Sequence, residues 1–164
     1  MGSGEEPDMT RINYRNAVPL IALSAALRAA CQSKPAAPPE IVVDRTACSH
    51  CRMFVSEAIY AAAYRVDAAE PKVFDDIACL VASMRRESLS SDSSGFRVWF
   101  QDGNGGGWIE RGTPVFVSSA VFRTPMGGGV LAYRDAAAAA QAASTYQGQV
   151  VGSLAHLLNR RGES

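Results

Sequence analysis

The sequence predicts a small α+β protein. Three observations carry that expectation: short strand-like runs recur along the chain, two helix-like stretches each follow an aspartate suited to an N-cap, and the 164 residues are 48% apolar. That length gives one ordinary domain or two very small ones sharing a core. Sixteen basic and sixteen acidic residues cancel, so no basic footprint for nucleic acid is visible and no nucleic-acid partner is expected. Four cysteines are too few for a disulfide-dense scaffold.

The amino-terminal segment reads as an export signal. Met9-Thr10-Arg11 and Arg15 form a basic region, and Ala17 to Leu27 is a short apolar run. Ala29-Ala30-Cys31 follows, and small residues before a cysteine resemble a bacterial lipoprotein cleavage box. Residues 1–31 are therefore expected to be a signal peptide, with Cys31 the lipidated first residue of the mature chain. Arg28 stands where that box usually has an apolar residue, and the acidic Gly4-Glu5-Glu6-Pro7-Asp8 fits translation starting at Met9. Residues 32–40, with Lys34-Pro35-Ala36-Ala37-Pro38-Pro39, read as an extended tether. The expected location is the periplasmic side of a bacterial membrane, through the lipid on Cys31.

Ile41 to Asp44 then reads as the first strand. Phe54 to Tyr64 has near-helical spacing, with Ile59 to Tyr64 also readable as a strand. Lys72-Val73-Phe74 predicts a short strand, and Asp75-Asp76 cap a helix starting near Ile77 and carrying Cys79, Leu80, Val81 and Met84. The polar run Ser88 to Ser94 divides a first half, 41–87, from a second, 96–152. Phe96 to Phe100 reads as a strand, and the Gly-rich Gln101 to Gly107 as a hairpin turn leading to Trp108-Ile109. Pro114 to Val117 and Val130 to Tyr133 are further strands, the former the buried central one. Asp135 caps an alanine-rich helix to about Thr145. Gln149-Val150-Val151 is a closing strand, and residues 153–164 hold a short helix through Leu158 and a tail.

Chemistry concentrates in Cys48-Ser49-His50-Cys51-Arg52-Met53. Three readings of the Cys-x-x-Cys pair compete: a redox pair with a thiolate favoured by a helix N-terminus, half of a closed zinc site, or a Cu(I) site of thiolates and thioethers. A plain disulfide is the bland alternative. Met53 favours copper, because dithiol redox chemistry has no need of a thioether. Met126 lies between Pro125 and three glycines, in a loop able to approach a ligand closely. Cys79 is either a further thiol facing the first two or an ordinary buried small residue. His50 is a further ligand candidate, and the paired Asp75 and Asp76 read as caps rather than an acid–base dyad.

Those segments, with Phe74-Asp75-Asp76-Ile77-Ala78-Cys79, Trp99-Phe100, Trp108 and Thr124-Pro125-Met126-Gly127-Gly128-Gly129, together resemble the nitrous oxide reductase accessory proteins of the NosL type. Those are exported copper-binding lipoproteins linked to assembly of the reductase's copper centres. The resemblance spans about residues 42 to 151. It implies two small treble-clef-like ββαβ units packed together. It implies a Cu(I)-binding metallochaperone with no catalytic activity, serving a client cuproenzyme such as nitrous oxide reductase and receiving copper from an exporter or another chaperone. Carried over residue by residue, the ligands would be Cys51 and Met126, with Met53 a third ligand or packing. Arg52 stands where the family commonly has glycine. Cys48 is an additional thiol, either a ligand or a partner able to oxidise with Cys51. A thiol–disulfide oxidoreductase using Cys48 and Cys51, and a structural lipoprotein with a disulfide, are the competing functional classes. Intact mass of the protein from a membrane fraction should give a species beginning at Cys31 with added acyl mass; a different start without that mass rules out the lipid anchor.

Overall fold

Asp76 and Asp135 end the second strand of two successive ββαβ modules, and each turns the chain into a helix. The computed structural model describes Met1 and residues 37–109 and 113–160, and every element below lies within Ala36–Ser164, one compact unit. The signal segment, Cys31 and most of the expected tether lie outside the described residues.

The first module runs β1 (Ala62–Val66), β2 (Lys72–Phe74), α1 (Ile77–Arg86) and β3 (Phe96–Phe100). The second runs β4 (Val115–Ser118), β5 (Val130–Tyr133), α2 (Ala136–Thr145) and β6 (Gln149–Gly152), and a short α3 (Leu154–Asn159) follows. Each sheet has three antiparallel strands with the module's first strand in the middle, in the orders β2-β1-β3 and β5-β4-β6. The two modules therefore share one topology, an α+β fold built twice.

Local sequence explains the helices. In α1, Ile77, Leu80, Val81 and Met84 recur at helical spacing and are buried, one apolar stripe laid on the core. The Asp76 carboxylate accepts from the Ala78 N–H at 2.6 Å, satisfying one of the first-turn donors that a helix leaves open. In α2 the stability comes from alanine propensity, with Ala139 and Ala142 facing inward and Asp135 accepting from the Ala138 N–H. One buried cluster joins the modules: Tyr64, Phe74, Leu80, Met84 and Phe100 of the first meet Phe116, Val130 and Ala132 of the second. Phe100 and Phe116 meet edge to face at 4.9 Å, a favoured aromatic geometry.

Several sequence expectations are corrected. Ile41 to Asp44 is no strand: the Val42 carbonyl accepts from Arg45 and Thr46, closing a tight turn. A short apolar run without a neighbouring strand edge closes locally instead. Phe54 to Tyr64 is no helix beyond a single 3-10 turn at Ala58–Tyr60. The strand that follows was obscured because Ala61, Ala62 and Ala63 are all buried, so a central strand covered on both faces shows no alternation. The division at Ser88 to Ser94 falls inside the first module, since β3 pairs with β1. Trp108 makes only an isolated bridge, to Gln101. The expected strands at 72–74, 96–100 and 130–133 and the helices capped by Asp76 and Asp135 are present, and those expected at 114–117 and 149–151 run over 115–118 and 149–152, with β4 central in its sheet.

Asp76 also reaches across the modules, accepting from the Met126 N–H at 3.0 Å. Because this carboxylate is fully buried, Asp76→Ala should remove a cap and leave the Met126 donor without its partner. A loss of about 2 kcal/mol or more is expected from those two effects together, read as a lowered urea midpoint. Asp76→Asn keeps an acceptor oxygen and should lose less.

Candidate metal centre

Residues 47–54 fold into a narrow knuckle. Ala47 and Phe54 pair as an antiparallel bridge; within it the Cys48 N–H donates to the Met53 carbonyl at 2.8 Å and the Arg52 N–H to the Cys48 carbonyl at 3.1 Å. Closing so tight a turn puts Arg52 at φ +69°, the left-handed region that favours glycine. The knuckle is fastened to the first sheet by Ser49, whose N–H donates to the Val73 carbonyl at 2.8 Å. It thereby lies beside the strand that leads into α1, and Cys79 sits in that helix's first turn.

The consequence is a cluster of three sulfurs. Ligand atoms of Cys48, Cys51 and Cys79 all lie within 4.8 Å of one another, and all three thiols are free. Cys48 and Cys79 are buried, at 0% and 2% exposure, and Cys51 is half-buried. Three converging thiols at this separation can surround one soft ion.

Backbone donors already point at the sulfurs. The Cys48 sulfur accepts from the N–H groups of Asp75, Cys51 and His50, and the Cys51 sulfur from that of Met53. The Cys79 thiol donates to Cys48, which with those N–H groups holds Cys48 well below the usual thiol value despite its burial. Cys79 is driven up by the same bond, then by burial. Burial first, then Cys48, raises Cys51. The one hydrogen bond thus pushes the two thiols apart, Cys48 down and Cys79 up.

The acids beside the cluster have separate roles. Asp75 is 1% exposed; one oxygen accepts from the Ser56 N–H at 3.0 Å, and the other has no hydrogen-bond partner. Burial, with the Cys48 charge as a lesser cause, raises its carboxyl. His50 Nδ1 likewise has no partner.

Of the residues singled out in the sequence, Cys48 and Cys51 enter the cluster. Met53 is 57% exposed at the knuckle's edge. Met126 is 43% exposed, anchored by its backbone to the carboxylate that caps the helix of Cys79. A close backbone approach holds its loop there: a Cβ on Gly128 would lie 2.6 Å from that of Ala78. Cys79 is the residue that the spacing undervalued. Its signal was position: an N-cap aspartate with a cysteine three residues on places a thiol in the first helical turn.

No protein-family model and no curated protein matches the sequence. Among solved structures, the fold is similar to the crystal structure of the copper chaperone NosL from Shewanella denitrificans, with a TM-score of 0.57 and 13% identity, over 71% of this chain and 92% of that one. At that identity the likeness shows the fold.

A depressed thiol stabilises the fold at high pH. For Cys48 this contribution is complete above the ordinary thiol value of 9.0 and is lost as pH falls through about 4. The reduced, metal-free protein should therefore retain thiolate absorbance near neutral pH. Cys79→Ala removes the S–H donor and should move that absorbance step up by about one pH unit or more. An unmoved step would mean that Cys79 does not hold the Cys48 charge.

Proposed function

We propose that the chain is a Cu(I)-binding metallochaperone of the cell envelope, a carrier without catalytic activity that hands copper to a client cuproenzyme. The observation that carries this reading is the convergence of Cys48, Cys51 and Cys79 within 4.8 Å. Cu(I) is soft, accepts low coordination numbers and prefers sulfur, so two or three thiol ligands suffice. The fold shared with a solved copper chaperone supports the same reading.

Within it, Cys48 is the principal thiolate, with Cys51 and Cys79 beside it. Met126 and Met53 supply neutral thioethers at the rim, where the resemblance made Cys51 and Met126 the ligands, with Met53 a third ligand or packing and Cys48 a ligand or oxidising partner. The first module is read as treble-clef-like, a reading supported by its knuckle, hairpin and helix, with thiols offered from the knuckle and from the first helical turn. Nitrous oxide reductase as client, a copper exporter or second chaperone as donor, and a lipid on Cys31 holding the protein at the periplasmic face of the membrane complete the proposal. Among the described residues no helix is long and apolar enough to cross a membrane.

A zinc reading has one specific observation behind it. Zinc wants four N or S ligands in a closed tetrahedron, and the unpartnered Nδ1 of His50 lies in the same knuckle as two of the thiols. A redox reading would use Cys48 and Cys51 as a dithiol.

Competition titration of the reduced protein against a Cu(I) chelator tests the choice. One Cu(I) per chain is expected. Cys48→Ala, Cys51→Ala and Cys79→Ala should each weaken binding at least about tenfold, or about 1.4 kcal/mol, and Met126→Ala by less. Zinc binding that is tight and sensitive to His50→Ala, with copper retained poorly, would replace the copper reading with the zinc one. Reduction of a model disulfide that persists in Cys79→Ala would favour the redox reading.

A further inference from the structure

The three thiols differ in access. Cys48 and Cys79 are sealed at 0% and 2% exposure, and only Cys51 is half-open to solvent. The residues that follow Cys51 in the chain, Arg52, Met53 and Phe54, are exposed, the last two each at 57%. The sealed side is fixed from several directions. Cys48 is bound through its own N–H to the Met53 carbonyl and through its sulfur by backbone donors and the Cys79 thiol, while Cys79 is part of a capped helix that packs into the shared core. The Cys51 sulfur accepts from one backbone N–H, that of Met53, and otherwise pairs only with the other two thiols.

We infer that Cys51 is the exchange ligand through which Cu(I) enters and leaves, while Cys48 and Cys79 retain the ion until an acceptor has bound it. This rests on the copper-carrier reading and names the order of ligand exchange at that site. The acceptor is a protein or small molecule presenting a soft thiol ligand, since only a sulfur donor competes with thiolates for Cu(I). In the step, the acceptor sulfur forms a bond to copper as the copper–Cys51 bond breaks. The acceptor thiol gives up its proton and the released Cys51 thiolate takes one up. Copper stays Cu(I) throughout, so no oxidant or reductant is required. The mixed intermediate keeps copper on Cys48, Cys79 and the acceptor, and it never leaves the ion on fewer ligands than it began with. Had the exposed thiol been on the helix, exchange would disturb α1; on the knuckle edge it disturbs the turn of Ser49, His50 and Cys51.

Two measurements on the full-length reduced protein decide this. In the first, Cu(I)-loaded protein is treated with limiting iodoacetamide and mapped by mass spectrometry. Alkylation is expected first at Cys51, with the singly modified protein still carrying copper, and Cys48 and Cys79 modified at least about tenfold more slowly. In the second, Cu(I) transfer to glutathione is followed by stopped flow. The parent rate should rise in proportion to glutathione. Cys51→Ser, which starts with that coordination position already open, should transfer at least about tenfold faster. If the parent holds copper but Cys48 or Cys79 is alkylated first, or if Cys51→Ser transfers at the parental rate, Cys51 is not the exchange ligand. If the parent fails to retain Cu(I) before either treatment, the carrier reading itself falls and this inference with it.

Discussion

The buried carboxylate of Asp76 is the constraint on which the rest of the molecule depends. One oxygen caps α1 at the Ala78 N–H and the other holds the Met126 N–H of the second module's loop. A carboxylate with no access to water is tolerated only when its oxygens are satisfied, and here the two donors come from different modules. The same group therefore fixes where α1 begins, which sets the position of Cys79, and where the glycine-rich loop of the second module lies. Local capping chemistry becomes tertiary geometry at this one residue.

Two copies of one topology make the asymmetry between them informative. Each module turns from its second strand into its helix through an aspartate cap, Asp76 in one and Asp135 in the other. Three residues beyond the cap stands Cys79 in the first module and Ala138 in the second. The second module's turn carries instead Arg134, which pairs at 2.6 Å with the buried Asp102 of the chain after β3. One copy of the frame holds sulfur chemistry and the other holds structure, and the shared aromatic contact of Phe100 with Phe116 keeps them in register.

Much of this was legible in the chain. The aspartate caps announced both helices, because a cap acts on its own first turn and needs no distant partner. Strands such as Phe96 to Phe100 showed themselves through β-branched and aromatic residues. β1 showed itself only as the alternative strand reading of Ile59 to Tyr64, since Ala62 and Ala63 are helix-favouring alanines made into a central strand by burial on both faces, and tertiary context outweighs propensity there. The site divided in the same way. Cys48 and Cys51 are local, three residues apart, and were visible at once. The contribution of Cys79 depends on Ser49 bonding to the Val73 carbonyl, a contact between distant segments that no spacing encodes. Conversely, the resemblance gave weight to Met126, which reaches the neighbourhood by its backbone.

The arrangement of thiols also fixes what a bound ion would do to the fold. The knuckle is fastened to the first module by the Ser49–Val73 hydrogen bond and by Cys48, which lies in the same buried cluster as Cys79, with Cys51 packed against it. An ion held by Cys48, Cys51 and Cys79 would cross-link the knuckle to α1, and its binding free energy would appear as resistance of the knuckle to opening. In the metal-free state the Cys79-to-Cys48 hydrogen bond makes the same link with one proton in place of the ion. On the copper-carrier reading, an ion held by three thiolates would displace the protons of Cys51 and Cys79 from a frame already formed. Little ordering would then be left to oppose uptake, and release at Cys51, as inferred above, would leave α1 in place.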